Sequence, residues 1–552
     1  MDADSPSSFT KMPYVPTFYA VASNWWFSIA VALFGACTIL MCLKFVRKQD
    51  PYSDLQAMKY IPWAELDDFT ARDLAQTVVV DCTHPSVSIS LTHHRQVKAL
   101  PPSLRGDAST DVVLNALEQK HPLLYRDKQY VSCNHFDVDG YLSVLATLKP
   151  QLALQYNNLF RCAARIGDFR ELVVDEQGTL GGKEEEAHAL EVCCWLNALE
   201  MQRFWRPFDK NEEDPSESLH DVDKWAYFLS PAVLEAFEAV IRGDVNAMPS
   251  DDASTNQAHS RSWQAERDIV HRDSMLVANS SITKVPEVGL VVIGPLPQPV
   301  HYYALFSATI GVDVLLTLVI TPNGGLVAEV EQKYTTFVDL AFRPTLPRVD
   351  LLPLASLLNA LEAKHGGLTT KPGVWGQEAH SETVWVGERF VDSGPLLRLE
   401  RRGQPLTKAS RYGHPSERYA ALFHAGESAT APVGNNGAAA AKVDADHVPT
   451  TCIPREVLVA AVEGYLRAAY GKLDGGSTTN ATRSGSERAL EPPTKPHFGW
   501  TWKGIREFNA KIAAPRVRAW LWSEHQLQPQ EDKHEGDCEA EKFRVIDSTT
   551  SS

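Results

Sequence analysis

Between positions 25 and 43 the chain reads W-W-F-S-I-A-V-A-L-F-G-A-C-T-I-L-M-C-L, an apolar run without a charge. As a helix it would span roughly 28 Å, close to the ~30 Å hydrocarbon core of a bilayer. Trp25 and Trp26 sit at one edge, and Lys44, Arg47 and Lys48 sit at the other. Indoles favour the headgroup layer, and basic residues favour the cytosolic side. The pattern predicts one transmembrane helix over 25–43, after a tail at 1–24, with residues 44–552 in the cytosol. The other reading of the run is a buried core helix.

Beyond a connector at 44–75 the periodicity changes. T-V-V-V-D at 77–81 is a short apolar run ending in an acid, the pattern of a strand buried on both faces. V-S-I-S-L at 87–91 alternates and predicts a strand beside it. Residues 109–120 predict a helix capped by Ser109 or Thr110, with Val112, Val113, Ala116 and Leu117 on one face. A short strand follows at 130–131, then helices at 142–148, 151–164, 184–204 and 230–242. Strands alternating with helices predict an α/β domain with a mainly parallel sheet over 76–250.

From residue 285 the pattern turns to runs of β type at 289–293, 301–308, 313–320 and 326–338, with T-P-N-G-G at 321–325 as a hairpin turn. Short connections predict an antiparallel sheet. A helix at 351–364 should cover one face, and 384–386 and 396–399 should add edge strands. Together these make a second, smaller α+β domain over 285–400. An Ala/Gly/Asn-rich linker at 425–450 leads to a helical extension over 454–525. Within it, 475–493 reads as polar linker and 503–522 as two short basic, aromatic helices split at Pro515. The acidic, Ser/Thr-rich residues 527–552 read as a disordered tail.

At 552 residues the chain exceeds one ordinary core. A net charge of −16 argues against a general nucleic-acid-binding surface. The nine cysteines include no C-x-x-C pair, which argues against a structural zinc site and for reduced thiols in a cytosolic setting. Two glycosylation sequons, Asn279-Ser280-Ser281 and Asn480-Ala481-Thr482, stand against that placement.

Candidate chemistry concentrates at 130–148, Y-V-S-C-N-H-F-D-V-D-G-Y-L-S-V-L-A-T-L, which reads as strand, acidic turn and helix. Ligands of α/β folds sit at the carboxyl ends of strands. There, alternating His135, Asp137 and Asp139 can converge imidazole and carboxylate donors on a divalent metal such as Mn²⁺ or Mg²⁺. Asp81, closing its strand, is placed evenly between a cleft-facing ligand and an ordinary Asp. Asp168 is placed evenly between a further ligand or base and a helix cap. His93 and His94 end the neighbouring strand and can approach the turn, but surface histidines are the more usual outcome there. His188, one turn beyond Glu184, reads as part of a solvated helix start. His301, Tyr302 and Tyr303 can face a cleft, with packing the better reading for the tyrosines.

H-F-D-V-D-G-x-x-S at 135–143 resembles the first motif of the DHH phosphoesterases. The longer N-H-F-D-V-D-G, with R-I-G-D-F at 165–169, is similar to a group of uncharacterised, mainly bacterial proteins sharing N-H-F-D-x-D-G. The first resemblance implies a metal-dependent phosphoesterase, with His135, Asp137 and Asp139 as metal-binding and catalytic residues. It also implies a substrate cleft between the α/β domain and the smaller one. The DHH enzymes carry an Asp-His-His triplet downstream of this motif. Here the one adjacent histidine pair, His93-His94, lies upstream and follows Thr92. The expected function is therefore a membrane-anchored, metal-dependent hydrolase acting on a phosphate-containing small molecule, with Asp81 or Asp168 completing the metal shell. The alternative is a non-catalytic anchored protein in which Asp137 and Asp139 accept N–H groups at the start of the helix that follows.

Overall fold

In the computed structural model, residues 58–525 are described except 88–89, 95–99, 126, 174–183, 205–216, 251–255, 322, 339, 341–344, 367–382, 388–396, 403–448 and 472–499. The expected transmembrane segment 25–43, nearly all of the 425–450 linker, the 475–493 linker and the tail lie outside the described residues. Among those described, no helix is long and apolar enough to cross a membrane. The architecture is α/β, with two sheets inside the unit that runs from Ala57.

The first sheet has three short strands, β1 (Lys59–Tyr60), β2 (Thr77–Val79) and β3 (Tyr130–Ser132), in the order β1-β3-β2. Both pairs are parallel, with Val78 opposite Val131 and Val79 opposite Ser132. The continuous apolar run works as expected: Val78, Val79, Val80 and Val131 are all buried. Helices Ser109–Glu118, Val138–Leu148 and Asn157–Phe169 pack on one another beside this sheet. The Val138–Leu148 helix is buried almost throughout, including the polar stripe of Asp139, Ser143 and Thr147.

Two elements differ from the sequence reading. Among the described residues of the expected strand at 87–91, Leu91 makes a bridge to Val80, and Val87 N belongs to a turn that pairs it with His84 O. The expected helix at 151–164 divides at Tyr156 into Pro150–Gln155 and Asn157–Phe169. The second piece runs on past Gly167, so Asp168 lies in its last turn rather than in a loop.

The second sheet is mixed, not antiparallel. Its strands are β4 (Ile282–Val285), β5 (Leu290–Leu296), β6 (Val314–Ile320), β7 (Leu326–Gln332), β8 (Thr383–Gly387) and β9 (Leu397–Arg401), in the order β4-β5-β6-β7-β9-β8. The exception to antiparallel pairing is β5 with β6. The cause lies at 301–308, which is no strand. Tyr302–Ser307 is a helix that returns the chain so that β6 runs alongside β5. His301 caps it by accepting the Tyr303 N–H on Nδ1. A short apolar run such as Y-Y-A-L-F cannot be told from a strand by periodicity.

Alternate side chains of this sheet fill two cores. Val292, Leu316 and Leu318 face helices Leu352–His365 and Arg455–Tyr470, meeting Leu354, Leu358, Leu458 and Leu466. Val291, Ile293 and Leu315 face the Tyr302–Ser307 helix, meeting Ala304 and Phe306. At the C-terminal end, Pro515 does not split the chain into two helices. A π turn at Asn509–Ala513 joins Trp502–Phe508 to Ala514–His525, and Pro515 falls at the start of the last piece, where its missing N–H is tolerated. The two sheets are tied by an antiparallel bridge from His94 to Val338 and a buried ion pair between Lys333 and Glu171.

Candidate metal centre

The centre is built where β2 leaves its sheet. Asp81 adopts a left-handed backbone, φ 52°. Asp visits that region more readily than most residues, and such strain persists where surroundings hold it, often at functional sites. Its N–H donates to Leu91 O, and its Oδ1 accepts the Ser109 hydroxyl at 2.6 Å. The carboxylate is buried, with the residue 1% exposed.

Past the Leu91 bridge the chain delivers two histidines. The His93 N–H donates to Ser109 Oγ at 3.1 Å, and its ring Nδ1 donates to Asp107 O at 2.6 Å. A carbonyl only accepts, so Nε2 carries the lone pair in the neutral ring. That nitrogen faces the acids: Asp81 Oδ1 at 3.7 Å, Asp168 Oδ2 at 3.7 Å and Asp139 Oδ2 at 4.0 Å. His94 Nε2 lies 3.6 Å from Asp81 Oδ1.

The turn after β3 supplies the rest. His135 Nδ1 donates to Asn134 Oδ1 at 2.6 Å, which turns Nε2 toward Asp81 Oδ2 at 3.4 Å and Asp137 Oδ2 at 3.2 Å. Asp137 caps the Val138–Leu148 helix through the Gly140 N–H at 2.7 Å. Asp139 caps a different helix. Its Oδ2 and Oδ1 accept the Ser109 and Thr110 N–H groups at 2.7 and 2.8 Å. Asp168 is brought in because Gly167 lets its helix touch Val138. A Cβ at position 167 would stand 2.4 Å from Val138 Cβ.

This arrangement leaves buried polar atoms without hydrogen bonds: Asp81 Oδ2, His93 Nε2 and Asp168 Oδ2. Each such orphan costs about 1–3 kcal/mol or more. They belong to groups of donors whose ligand atoms lie within 4.8 Å of one another: Asp81 with His93 and His94, His93 with Asp139 and Asp168, and Asp81 with Cys133 and His135. Buried Asp and His groups here can hold a metal ion, and the donor set fits one. Asp81 belongs to two of the groups and so can be shared between two ions.

The electrostatics agree with that fit. Burial, and after it Asp137, raises the Asp81 carboxyl; burial raises Asp168 far above the usual carboxylate range. Burial and Asp81 push Asp139 up to about 7. Burial opposes charge on His93, yet Asp168, Asp139 and Asp81 together raise it to about 9. Burial works against the charge on Asp137 as well, but His135 and the Gly140 N–H bring it down to about 2. His94 is pushed well down by burial, His93 and His135, and so stays neutral. A cluster that otherwise takes up protons to offset its carboxylates is one that a divalent cation satisfies directly.

His135, Asp137, Asp139, Asp81 and Asp168 thus stand in one cluster. His93 and His94 join them, although the sequence favoured surface positions, and so does Cys133, which the sequence did not single out. The available signal was the pairing of T-H-H with a strand next to one ending in Asp81. His188 is elsewhere, donating from Nε2 to Val240 O at 2.8 Å. His301 is a helix cap, and Tyr303 OH accepts from Asn197 Nδ2 at 2.9 Å.

Beside the cluster opens a cavity of about 350 Å³. Its lining includes His94, His135, Asp137 and Asp168 and also Arg170, Glu331, Lys333 and Arg348. Arg170 ends its helix at φ 58° and lies over the Tyr302 ring at 4.3 Å, with Glu331 at 3.8 Å. Lys333 pairs with Glu171, and Arg348 donates to Gln332 O at 3.0 Å. Metal-competent carboxylate and imidazole groups therefore share the cavity with the guanidinium groups of Arg170 and Arg348.

A family model, described as a family of unknown function (DUF6687), matches residues 56–422. No curated protein and no solved structure matches the chain.

Proposed function

The chain belongs to that family of unknown function, whose matched span includes both sheets and the whole cluster, and we propose that it is a metal-dependent phosphoesterase. The observation that carries the reading is the convergence of orphaned Asp81 Oδ2, His93 Nε2 and Asp168 Oδ2 beside a cavity that Arg170 and Arg348 also line. The resemblance of 135–143 to the first DHH motif points the same way.

Asp81 would be the shared ligand, with His93, Asp139 and Asp168 on one side and His135 and Asp137 on the other. Nitrogen and oxygen donors suit Mn²⁺ or Mg²⁺. Such ions supply Lewis acidity toward a phosphoryl oxygen and a water acidic enough to react near neutral pH. The protein's own contribution is orientation and charge. Arg170 and Arg348 would meet the remaining phosphate oxygens with planar forks of donors, while Lys333 is already paired with Glu171. His94, kept neutral at the cavity wall, would offer Nε2 as a lone-pair donor to a metal ion. The apolar run 25–43 would anchor this catalytic part to a membrane from the cytosolic side.

The test is hydrolysis of bis(p-nitrophenyl) phosphate by the full chain in detergent, with and without Mn²⁺, beside calorimetric Mn²⁺ titration. Metal-dependent turnover that falls at least about 100-fold in Asp137→Asn supports the reading. Equal rates in variant and wild type remove it. A second reading, an anchored protein without turnover, is favoured by one observation: both Asp139 oxygens already accept helix N–H groups. No heat of Mn²⁺ binding would favour that alternative.

A further inference from the structure

The cluster is not uniform. Cys133 leaves β3 just before the acidic turn and is fully buried. Its thiol donates to His135 O at 3.2 Å. We propose that Asp81 Oδ2, Cys133 Sγ and His135 Nε2 form a sulfur-containing subsite that takes a thiophilic divalent ion of the Zn²⁺ or Co²⁺ type. It is distinct from the nitrogen-and-oxygen subsite of His93, Asp139 and Asp168. This inference rests on the metal-dependent reading above and specifies which ion goes where.

Separate observations meet here. The ligand atoms of Asp81, Cys133 and His135 lie within 4.8 Å of one another. Gly140 leaves a gap between them. A Cβ at position 140 would stand 3.0 Å from Asp81 Oδ2, 3.2 Å from Asp137 Oδ1 and 3.3 Å from Cys133 Sγ. Independently, Asp81 Oδ2 is buried without a hydrogen-bond partner, whereas Oδ1 is taken by the Ser109 hydroxyl. The unsatisfied oxygen is therefore the one on the sulfur side.

Ligand softness decides the ion. A thiolate favours Zn²⁺ or Co²⁺ over Mg²⁺ or Mn²⁺, while carboxylates and imidazole alone accept the harder ions. On binding, the Cys133 S–H bond breaks, its proton goes to solvent, and sulfur gives its electron pair to the cation. The centre is then mixed: Asp81 is shared between a thiophilic ion at Cys133 and His135 and a harder ion at His93 and Asp168. Cys82, whose thiol lies against that of Cys133, is the competing sulfur that the test must separate. It is also buried, its thiol donates to Val80 O at 3.2 Å, and it belongs to none of the donor groups.

The experiment is a Co²⁺ titration of the chelator-stripped full chain, read by near-ultraviolet absorption. A thiolate-to-cobalt charge-transfer band is expected in wild type and Cys82→Ser and absent in Cys133→Ser. Cys133→Ser should lower Zn²⁺ affinity roughly 100-fold and leave Mn²⁺ affinity within about 3-fold. X-ray absorption of the Zn²⁺-loaded wild type gives a readout that needs no variant to fold. One sulfur at about 2.3 Å is expected. Co²⁺ bound without the band, a band that follows Cys82, or a zinc shell of nitrogen and oxygen alone overturns the sulfur subsite and leaves the metal-dependent reading standing. Binding of neither Co²⁺ nor Mn²⁺ overturns both.

Discussion

Two buried carboxylates, one in each sheet region, look alike in the sequence and differ in the fold. Glu362 sits among the helices that cover the mixed sheet. Its Oε1 accepts the Cys452 N–H at 2.6 Å, and its Oε2 accepts Thr451 Oγ1 at 2.6 Å and Trp385 Nε1 at 3.1 Å. Each oxygen has a donor, and the carboxylate fastens the chain near 451 to the Leu352–His365 helix. Asp81, at the end of the parallel sheet, has one oxygen satisfied and one left open among three other acids. Burial costs both groups their hydration. Glu362 recovers that cost from the protein, and Asp81 lacks half of the recovery. An unsatisfied buried oxygen, more than burial or charge alone, separates a site from a brace.

The largest expected effect comes from exchanging the two roles. Asp81→Asn should weaken Mn²⁺ binding by on the order of 100-fold or more and abolish turnover. Glu362→Gln should leave metal affinity unchanged and cost about 1–3 kcal/mol of stability, read by denaturant unfolding. A metal-binding defect in Glu362→Gln would break the contrast.

Removing the metal should turn the cluster into a pH-dependent liability. Asp139, raised to about 7 from an ordinary 3.8, keeps its proton in the folded state while the unfolded chain has lost it. Stability of chelated protein should therefore fall as pH rises from about 4 through about 7. His93, raised to about 9 from 6.5, contributes stability that is fully present below pH 6.5 and lost as pH rises through 9. Asp137, lowered to about 2, acts oppositely and loses its contribution only in acid, between about 4 and 2. Melting temperatures across pH 4–9 should decline with chelator and flatten with saturating Mn²⁺. A flat profile in both would contradict the charge account.

A smaller effect belongs to Arg170, which lines the cavity. Arg170→Ala should raise KM for a phosphodiester about 10-fold with Mn²⁺ affinity unchanged, since a charge-assisted hydrogen bond is worth about 1.5–3 kcal/mol. The smallest belongs to His188, which stands outside the cluster. His188→Gln should shift stability by no more than about 1 kcal/mol and metal affinity not at all.

Much of the site was legible because N-H-F-D-V-D-G packs strand end, cap and helix start into seven positions. Asp81 was legible as the end of an apolar run. His93 and His94 were not, since their approach depends on Ser109 holding the His93 N–H and on Asp107 turning the ring. Those are contacts across 16 and 14 residues that no local pattern encodes. Asp139 was legible as a candidate ligand, but not its capping of the helix at Ser109; the non-catalytic alternative had put its oxygens on its own helix. In the fold, the parallel strands at 77–79 and 130–132 followed from their composition, while the direction of β6 hinged on one short helix at Tyr302–Ser307 that apolarity alone could not identify.

Anomalous diffraction from crystals of the full chain soaked in Mn²⁺, collected at the manganese edge, tests the central claim most directly. A peak bounded by Asp81, His93 and Asp168 is the expected result. Density without such a peak, with Asp81 Oδ2 and His93 Nε2 hydrogen-bonded to protein or water instead, would contradict it.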